Sequence, residues 1–369
     1  MAAQETVPSG AAIEALLHAW GGKLVQLNYD APTGAWIIVA VHSTRAGRAG
    51  GGIRMMGYPH LPAAIEDALR LSSAMTVKFG AVGFDWGGAK TVIYASPGLA
   101  GEARQGLMRR YGDILHQLGG LVYNGPDIGT TIGDMMTIAE RGSPYVFCRT
   151  PEAGGTGDPG PSTALGVFHS VKAVAHAVFG DDALAGKTVL VQGAGDVGAP
   201  LIAHLHAAGA RILVSDVDTG RVARVQADHG AEPVPLAAVY DTECDLFAPC
   251  AVGGILNPET IARLRCRAVV GSANNQLRTA EDAARLQARH ILYAPDFICN
   301  AGGVLGAIGG EALGWSPDEA ARRIATMIPE TLKEIFATAE REGQTTEAVA
   351  QRLAQTRTPV DGPDGPRQP

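Results

Sequence analysis

The sequence has little charge and no long hydrophobic run. Charged residues make up 18% of its 369 residues and hydrophobic ones 46%, a balance that suits a folded, well-buried protein. No apolar stretch reaches membrane-spanning length. The opening Met1-Ala2-Ala3-Gln4-Glu5-Thr6 lacks a basic segment followed by an apolar one, so no secretory signal is read there. Positive charge is not in excess: the net charge is −7, which turns the reading away from nucleic acid and from anionic membrane surfaces. Cysteine is sparse. The five present, Cys148, Cys244, Cys250, Cys266 and Cys299, are an odd number without CxxC spacing. Neither a disulfide framework nor a metal site is indicated, and reduced thiols in a cytoplasmic protein are expected. Internal repeats are missing too, and the one biased tract is the Pro-, Gly- and Asp-rich end from Thr358 to Pro369, expected to be disordered. The length is comfortable for two domains.

What is present centres on Gly83-Phe84-Asp85-Trp86-Gly87-Gly88-Ala89-Lys90-Thr91-Val92-Ile93. A second lysine, Lys78, stands twelve residues before Lys90 at the end of a helical pattern over 62–76. Mutual repulsion and burial both lower a lysine pKa and allow it to act as a base. Gly87 and Gly88 leave room for a small substrate against the backbone. The plain alternative is that Lys90 begins a strand and faces solvent, as most lysines do.

In chain order, a loose lead precedes a helix near 11–20. Two β-rich runs, 23–29 and 35–41, flank a turn at Ala31-Pro32-Thr33-Gly34. Arg45 to Arg54 encloses Gly50, Gly51 and Gly52, read as exposed backbone that can receive a carboxylate or as a surface loop. A strand from Lys90, a helix over 102–118 and a strand at 121–123 lead into Asn124-Gly125-Pro126-Asp127. An acid just past a strand end suits α/β chemistry, although Asp127 could instead cap the helix starting near Thr130. Asp134 reads as an ordinary exposed acid. Residues 149–163 form a Gly/Pro-rich linker, and Ser162 or Thr163 would cap the next helix. From 317 to 353 the pattern is helical, broken at Pro329.

The second half opens with strand 188–192, then Gly193-Ala194-Gly195-Asp196-Val197-Gly198, a helix, and strand 211–216 ending in Asp216, 23 residues after Gly193. Glycines let a backbone approach a pyrophosphate at a helix N-terminus, and the acid holds ribose hydroxyls. A carboxylate at 216 repels a 2′-phosphate, so NAD is expected over NADP, with Asp218 and Arg221 close by. Later strand ends carry Ala248-Pro249-Cys250, Gly271-Ser272-Ala273-Asn274-Asn275-Gln276 and Asn300-Ala301-Gly302-Gly303-Val304. They match the ligand-facing edge of a doubly wound sheet.

From about residue 20 to 310 the chain resembles the glutamate/leucine/phenylalanine/valine dehydrogenase family, and within it the leucine and phenylalanine type. The resemblance rests on Gly51-Gly52-Ile53-Arg54-Met55, Met75-Thr76-Val77-Lys78, Gly87-Gly88-Ala89-Lys90, Asp127-Ile128-Gly129-Thr130-Thr131, Gly271 to Leu277 and Asn300 to Val304. It implies NAD-dependent, reversible deamination of an apolar L-amino acid to the 2-oxo acid and ammonia. Lys78, helped by Gly51 and Gly52, would bind the substrate carboxylate. Lys90 would activate water, and Asp127 would move protons at the amino nitrogen. Thr163 and Asn274 would hold the nicotinamide, with Gly193, Gly195, Asp196, Val197, Gly198, Asp216, Ala248, Pro249 and Cys250 completing the cofactor site.

The resemblance also implies two α/β domains with a cleft between them, and a homo-oligomer. These are a substrate domain over 1–148 and a doubly wound NAD domain over 149–330, with helices over 331–357 returning to the first. Departures from the family pattern are Phe84, the bulky Asp85-Trp86, and Asp196 in the glycine loop. The family's side-chain pocket maps to Gly50, Gly125, Val304 and Ala307. Their small size favours a phenylalanine-like substrate, since apolar burial is worth roughly 25 cal/mol per Å². Leucine remains the alternative, because Trp86 or Met56 could fill the space. Two other classes stay open: a hydroxyacid-type dehydrogenase, which normally uses a His that no strand-end motif here supplies, and a catalytically silent binding protein.

Overall fold

A computed structural model describes residues 10–357; the lead before the first helix and the expected disordered tail lie outside the described residues. The chain divides into two compact units. One holds residues 10–158 and 354–357, the other Pro159–Leu353.

The first unit comprises α1 (Gly10–Trp20), β1 (Leu24–Asp30), β2 (Ala35–Val41), β3 (Ala49–Met56), α2 (Leu61–Ala81), β4 (Gly87–Tyr94), α3 (Gly101–Gln117), β5 (Val122–Pro126) and α4 (Ile132–Gly142). Its sheet has the order β1-β2-β4-β3-β5. β1, β2 and β4 pair antiparallel, and β3 pairs parallel with both β4 and β5. The turn at 31–34 closes the β1–β2 hairpin, with the Thr33 and Gly34 N–H groups on the Asp30 carbonyl. Strand alternation gives the sheet two apolar faces. Ile38, Ala40 and Val92 pack on Ala64, Ile65, Ala68 and Leu69 of α2. Ile37, Val39, Ile53 and Ile93 pack on Leu107, Met108 and Tyr111 of α3 and on Met135 and Ile138 of α4.

Three sequence expectations change here. Gly50–Gly52 are not a loop but part of β3, inside the sheet. A Cβ on Gly51 would lie 1.9 Å from the Ala89 carbonyl oxygen, so glycine is what lets the strands approach. Gly87 and Gly88 leave no room for a substrate. Their Cβ positions fall 2.1 Å from the Ser43 carbonyl oxygen and 2.2 Å from the Thr76 nitrogen, and the space is taken by the protein's own backbone. Asp134 is buried, 7% exposed. It forms a capping box with Thr131 and accepts two hydrogen bonds from Arg104 at 2.8 and 2.7 Å. Thr131, not Asp127, therefore caps α4.

The second unit comprises α5 (Gly160–Phe179), β6 (Thr188–Gln192), α6 (Gly198–Ala207), β7 (Arg211–Ser215), α7 (Thr219–His229), β8 (Glu232–Pro233), β9 (Leu246–Pro249), α8 (Pro258–Arg263), β10 (Ala268–Val269), α9 (Glu281–Ala288), β11 (Leu292–Tyr293), α10 (Asp296–Cys299), α11 (Gly302–Ala312) and α12 (Pro317–Glu342); α13 (Thr346–Arg357) begins in it and ends in the first unit. All six strands are parallel, in the order β8-β7-β6-β9-β10-β11, the arrangement of a doubly wound dinucleotide fold.

α5 starts at Gly160, which places Ser162 and Thr163 inside its first turn and not at its cap. α12 runs through Pro329 without a break and stops at Gly343, where φ is +65°. The proline forfeits one backbone hydrogen bond, but Ile324, Ile328, Leu332 and Ile335 form a buried stripe that packs on α5 and α11. That packing draws 331–353 into the second unit, and of the described residues after them only 354–357 belong to the first.

At the start of α13, Glu347 accepts a hydrogen bond from Gln351 at 2.9 Å. Burial, aided by Asp296, raises its pKa from 4.5 to about 7. The folded state therefore binds this proton more tightly than the unfolded state, and the stability it contributes is complete below 4.5 and lost as pH rises through about 7. Glu347→Gln keeps the neutral shape. Thermal melts across pH are expected to show the variant gaining on the wild type as pH rises through that window, with no gain below it; a constant difference at all pH values contradicts the assignment.

Candidate active site

Lys90 lies in the middle of β4 and is 5% exposed, which rules out the solvent-facing alternative. Its Nζ sits 2.8 Å from Oδ2 of Asp127, which follows the end of β5. Between them runs β3, with Gly52 opposite Gly125. A Cβ on Gly52 would fall 3.1 Å from Lys90 Nζ and 2.9 Å from Asp127 Cβ, so a side chain there would press into the pair. Asp127 is fixed by its own loop. Its N–H donates to Thr130 Oγ1 at 3.0 Å, and that hydroxyl donates to the Ile53 carbonyl at 2.8 Å. Gly129, at φ +81°, makes the turn possible.

Sequence reasoning missed the role of Arg54. Its Nε donates to the same Asp127 Oδ2 at 3.0 Å, and Nη1 reaches Asp67 Oδ2 at 3.1 Å. Asp67 is held in turn by the Tyr58 hydroxyl at 2.7 Å and by Arg70 at 2.6 Å. The usable signal was strand alternation, which puts Arg54 on the face of Gly52. An open recess of about 370 Å³ lies beyond, lined by Arg54, Met56, Tyr58, Ala63, Glu66, Asp67 and Arg70.

The electrostatics follow from burial. Desolvation pushes the Lys90 ammonium below its ordinary pKa, Asp127 pulls it back up, and Arg54 lowers it again. Burial is thus the largest cause, with Arg54 a cation that adds to it. Burial raises Asp127 as well, but Lys90 and then Arg54 outweigh this and hold its carboxyl at about 2. The two groups titrate as a coupled pair. Lys78 is half-buried in the last turn of α2.

Gly50 and Gly125 lie on the Lys90 face, by the same alternation. A Cβ on Gly125 would make ordinary contacts with Cys148 Sγ at 3.6 Å and Phe147 Cβ at 3.7 Å. Trp86, 2% exposed, is edge-on to Tyr123 at 5.0 Å and tilted against Phe147 at 6.0 Å. Phe84 packs on Phe79, and Asp85 is exposed with Arg45 Nε at 3.5 Å.

In the second unit the glycine loop has the form a pyrophosphate requires. Gly193 sits at φ +100°, and a Cβ on Gly198 would fall 1.8 Å from the Gly193 carbonyl oxygen. Val197 and Gly198 begin α6, and Asp196 is exposed. Asp216 Oδ2 accepts the Ala194 N–H at 2.6 Å, which ties the acid to the loop, and Oδ1 accepts the Asp218 N–H at 2.8 Å. Arg221 Nη1 lies 3.2 Å from where a Gly195 Cβ would be. Ala248 and Pro249 are buried in β9, and the Cys250 N–H donates to the Gln192 carbonyl at 2.7 Å. Asn300 donates to Asn274 Oδ1 at 2.8 Å, and its own Oδ1 is buried without a protein hydrogen-bond donor. Thr163 Oγ1 donates to the Pro159 carbonyl at 2.8 Å. On α11, Val304 is half-buried and Ala307 buried. The tight glycine turn, the acid at the end of β7 and the orphaned amide oxygen fit a dinucleotide.

Residues 154–224 and 213–359 match the Glutamate/Leucine/Phenylalanine/Valine dehydrogenase family, and residues 31–143 match the Glu/Leu/Phe/Val dehydrogenase dimerisation domain. A leucine dehydrogenase from Thermoactinomyces intermedius is 42% identical over 328 residues, covering 89% of this chain and 88% of that one. A phenylalanine dehydrogenase from Bacillus thermotolerans is 37% identical over 339 residues, covering 90% and 87%. The chain belongs to this family. It is an NAD-dependent amino acid dehydrogenase. The crystal structure of the L-tryptophan dehydrogenase from Nostoc punctiforme superposes with a TM-score of 0.80 at 35% identity, covering 94% of this chain and 98% of that one. Among the described residues, no helix is long and apolar enough to cross a membrane.

Replacing Lys90 with Ala is expected to cut turnover about 100- to 10,000-fold, the usual worth of a general acid–base group, with NAD affinity by fluorescence titration nearly unchanged. Near-normal turnover would rule Lys90 out as the base. Asp216→Ala removes a charged hydrogen bond to the glycine loop and should weaken NAD binding about 10- to 100-fold in the same titration.

Proposed function

We propose that the enzyme oxidatively and reversibly deaminates an apolar L-amino acid to its 2-oxo acid and ammonia, with phenylalanine-like side chains preferred and leucine next. The observation that carries the chemistry is the Lys90–Asp127 pair at 2.8 Å, its lysine buried and its carboxylate partly exposed. When bound, the nicotinamide supplies the acceptor for the substrate Cα hydride. Lys78 holds the substrate carboxylate. Lys90, brought toward neutrality by its burial, takes a proton from the water that attacks the imino carbon. Asp127 moves protons to and from the departing nitrogen. Lys90 is the main charge holding the Asp127 carboxyl down, so once Lys90 gives up its proton Asp127 becomes a better acceptor, and the two act as one relay. Gly50 and Gly125 leave room for the substrate side chain, and Thr163 and Asn274 hold the nicotinamide amide.

The size preference is supported by the bare backbone at Gly50 and Gly125 and by the aromatic wall of Trp86, Tyr123 and Phe147 next to Gly125. Met56 lines the recess beside Asp67. Relatives named for leucine, phenylalanine and tryptophan are of similar identity, so pocket volume is the discriminating feature. With NAD as cofactor, kcat/KM is expected to fall in the order phenylalanine, leucine, valine; a value for valine above that for phenylalanine overturns the size argument. Gly125→Leu should move the preference to smaller substrates.

A homo-oligomer accompanies this reading. β1 is an edge strand of its sheet, with Leu27 46% and Tyr29 57% exposed, an apolar edge that a second copy can cover. The match of 31–143 to a dimerisation domain agrees with this. A monomeric mass in solution would overturn it.

A further inference from the structure

Outside the candidate site two thiols face each other. Cys244 precedes β9 and Cys266 precedes β10, and these parallel neighbours pair with Leu246 opposite Ala268. The ladder continues before the strands proper. Glu243 bridges Arg265, the Cys244 N–H donates to the Arg265 carbonyl at 3.2 Å, and the Arg267 N–H donates to the Asp245 carbonyl at 3.0 Å. Cys266 is thereby bracketed by Cys244 and Asp245 across the ladder. Neighbouring strands lie about 4.8 Å apart, within the Cα separation of about 4.4–6.8 Å that a disulfide spans. In this register the two residues are direct neighbours across the ladder and carry their side chains on the same face. Both sulfurs are set in place by the same apolar cluster, which includes Val239, Phe247, Ile261 and Leu264. Cys244 is buried in it, and Cys266 packs against it while remaining partly exposed. The proposed reaction uses neither thiol. They lie at the N-terminal ends of their strands, whereas the glycine loop and Asn274 follow C-terminal ends.

We propose that Cys244 and Cys266 form a redox-active dithiol that closes to an intramolecular disulfide when a peroxide oxidises it. Cys266, the more accessible sulfur, attacks a peroxide oxygen and becomes a sulfenic acid as water leaves. The Cys244 sulfur then displaces the sulfenic hydroxyl, which departs as a second water, and the S–S bond forms. In total, two thiols give two protons and two electrons to one hydrogen peroxide, which becomes two waters. The neighbouring Cys266 sulfur, and then burial, push the Cys244 thiol far above its ordinary pKa. A protonated thiol is a poor nucleophile, so the first step falls to Cys266.

The test treats the full-length enzyme with hydrogen peroxide, alkylates the remaining thiols and maps the peptides. The expected result is the loss of two of the five thiols and of the mass of two hydrogens, reversed by dithiothreitol. The Cys266-Arg267 dipeptide released by trypsin should be linked to the fragment carrying Cys244, with fragmentation distinguishing Cys244 from Cys250 in that fragment. Cys266→Ser should abolish the link. A second measurement needs no variant: phenylarsine oxide, which bridges adjacent thiols, should bind reduced enzyme and fail to bind peroxide-treated enzyme. Oxidation of either cysteine without a cross-link, a link from Cys244 to Cys250, or arsenical binding that survives peroxide would each overturn the proposal.

Discussion

A buried ammonium and a partly exposed carboxylate, 2.8 Å apart, set the terms for the first unit. Taking either charge out of water alone is costly, and a buried ion pair is tolerated only when good geometry and further hydrogen bonds surround it. Arg54 supplies what a simple pair would lack. It gives Asp127 a second cation, so the carboxylate does not depend on the lysine remaining charged. Lys90 can therefore lose and regain its proton without leaving an unpaired anion behind. Arg54 is itself anchored by Asp67, and Asp67 by Tyr58 and Arg70. A chain of alternating charges leads from the buried pair out to the open recess.

This arrangement depends on the sheet being unusually close-packed where the pair sits. β3 can run between β4 and β5 because Gly51 and Gly52 present no side chain to Ala89 or to the Lys90–Asp127 contact. Gly88 lets α2 lie almost on the backbone of β4, which buries Lys90 from that side. The glycines control how deeply the lysine is buried, and burial is the largest influence on its proton affinity.

How much of this was legible in the sequence depended on how local each signal is. The loop from Gly193 to Gly198 and the acid at Asp216 lie within one strand–helix–strand unit, and the structure has that unit as read. Lys90 and Asp127 were legible as residue types near strand ends, but their contact required β3 to be placed between them. Arg54 and Asp127 are 73 residues apart, and no short pattern joins them. Gly50–Gly52 read as a loop because glycine is uncommon in strands; close approach of neighbouring strands overrode that preference. Asp134 read as a surface acid because its partner Arg104 lies on another helix. Pro329 read as a break because a local penalty was visible, while the buried stripe of α12 that outweighs it was not.

The bond from the Ala194 N–H to Asp216 has a consequence for how this protein can change over generations. On the proposed reading, the carboxylate that would disfavour a phosphorylated ribose is also a strut of the turn that would receive the pyrophosphate. A lineage drifting toward the phosphorylated cofactor could not exchange Asp216 alone, because the same step would loosen the grip on both cofactors. A replacement anchor for the Ala194 amide would have to arise first. On that reading, a preference for the unphosphorylated cofactor is held in place by the architecture of the loop as well as by the affinity it confers.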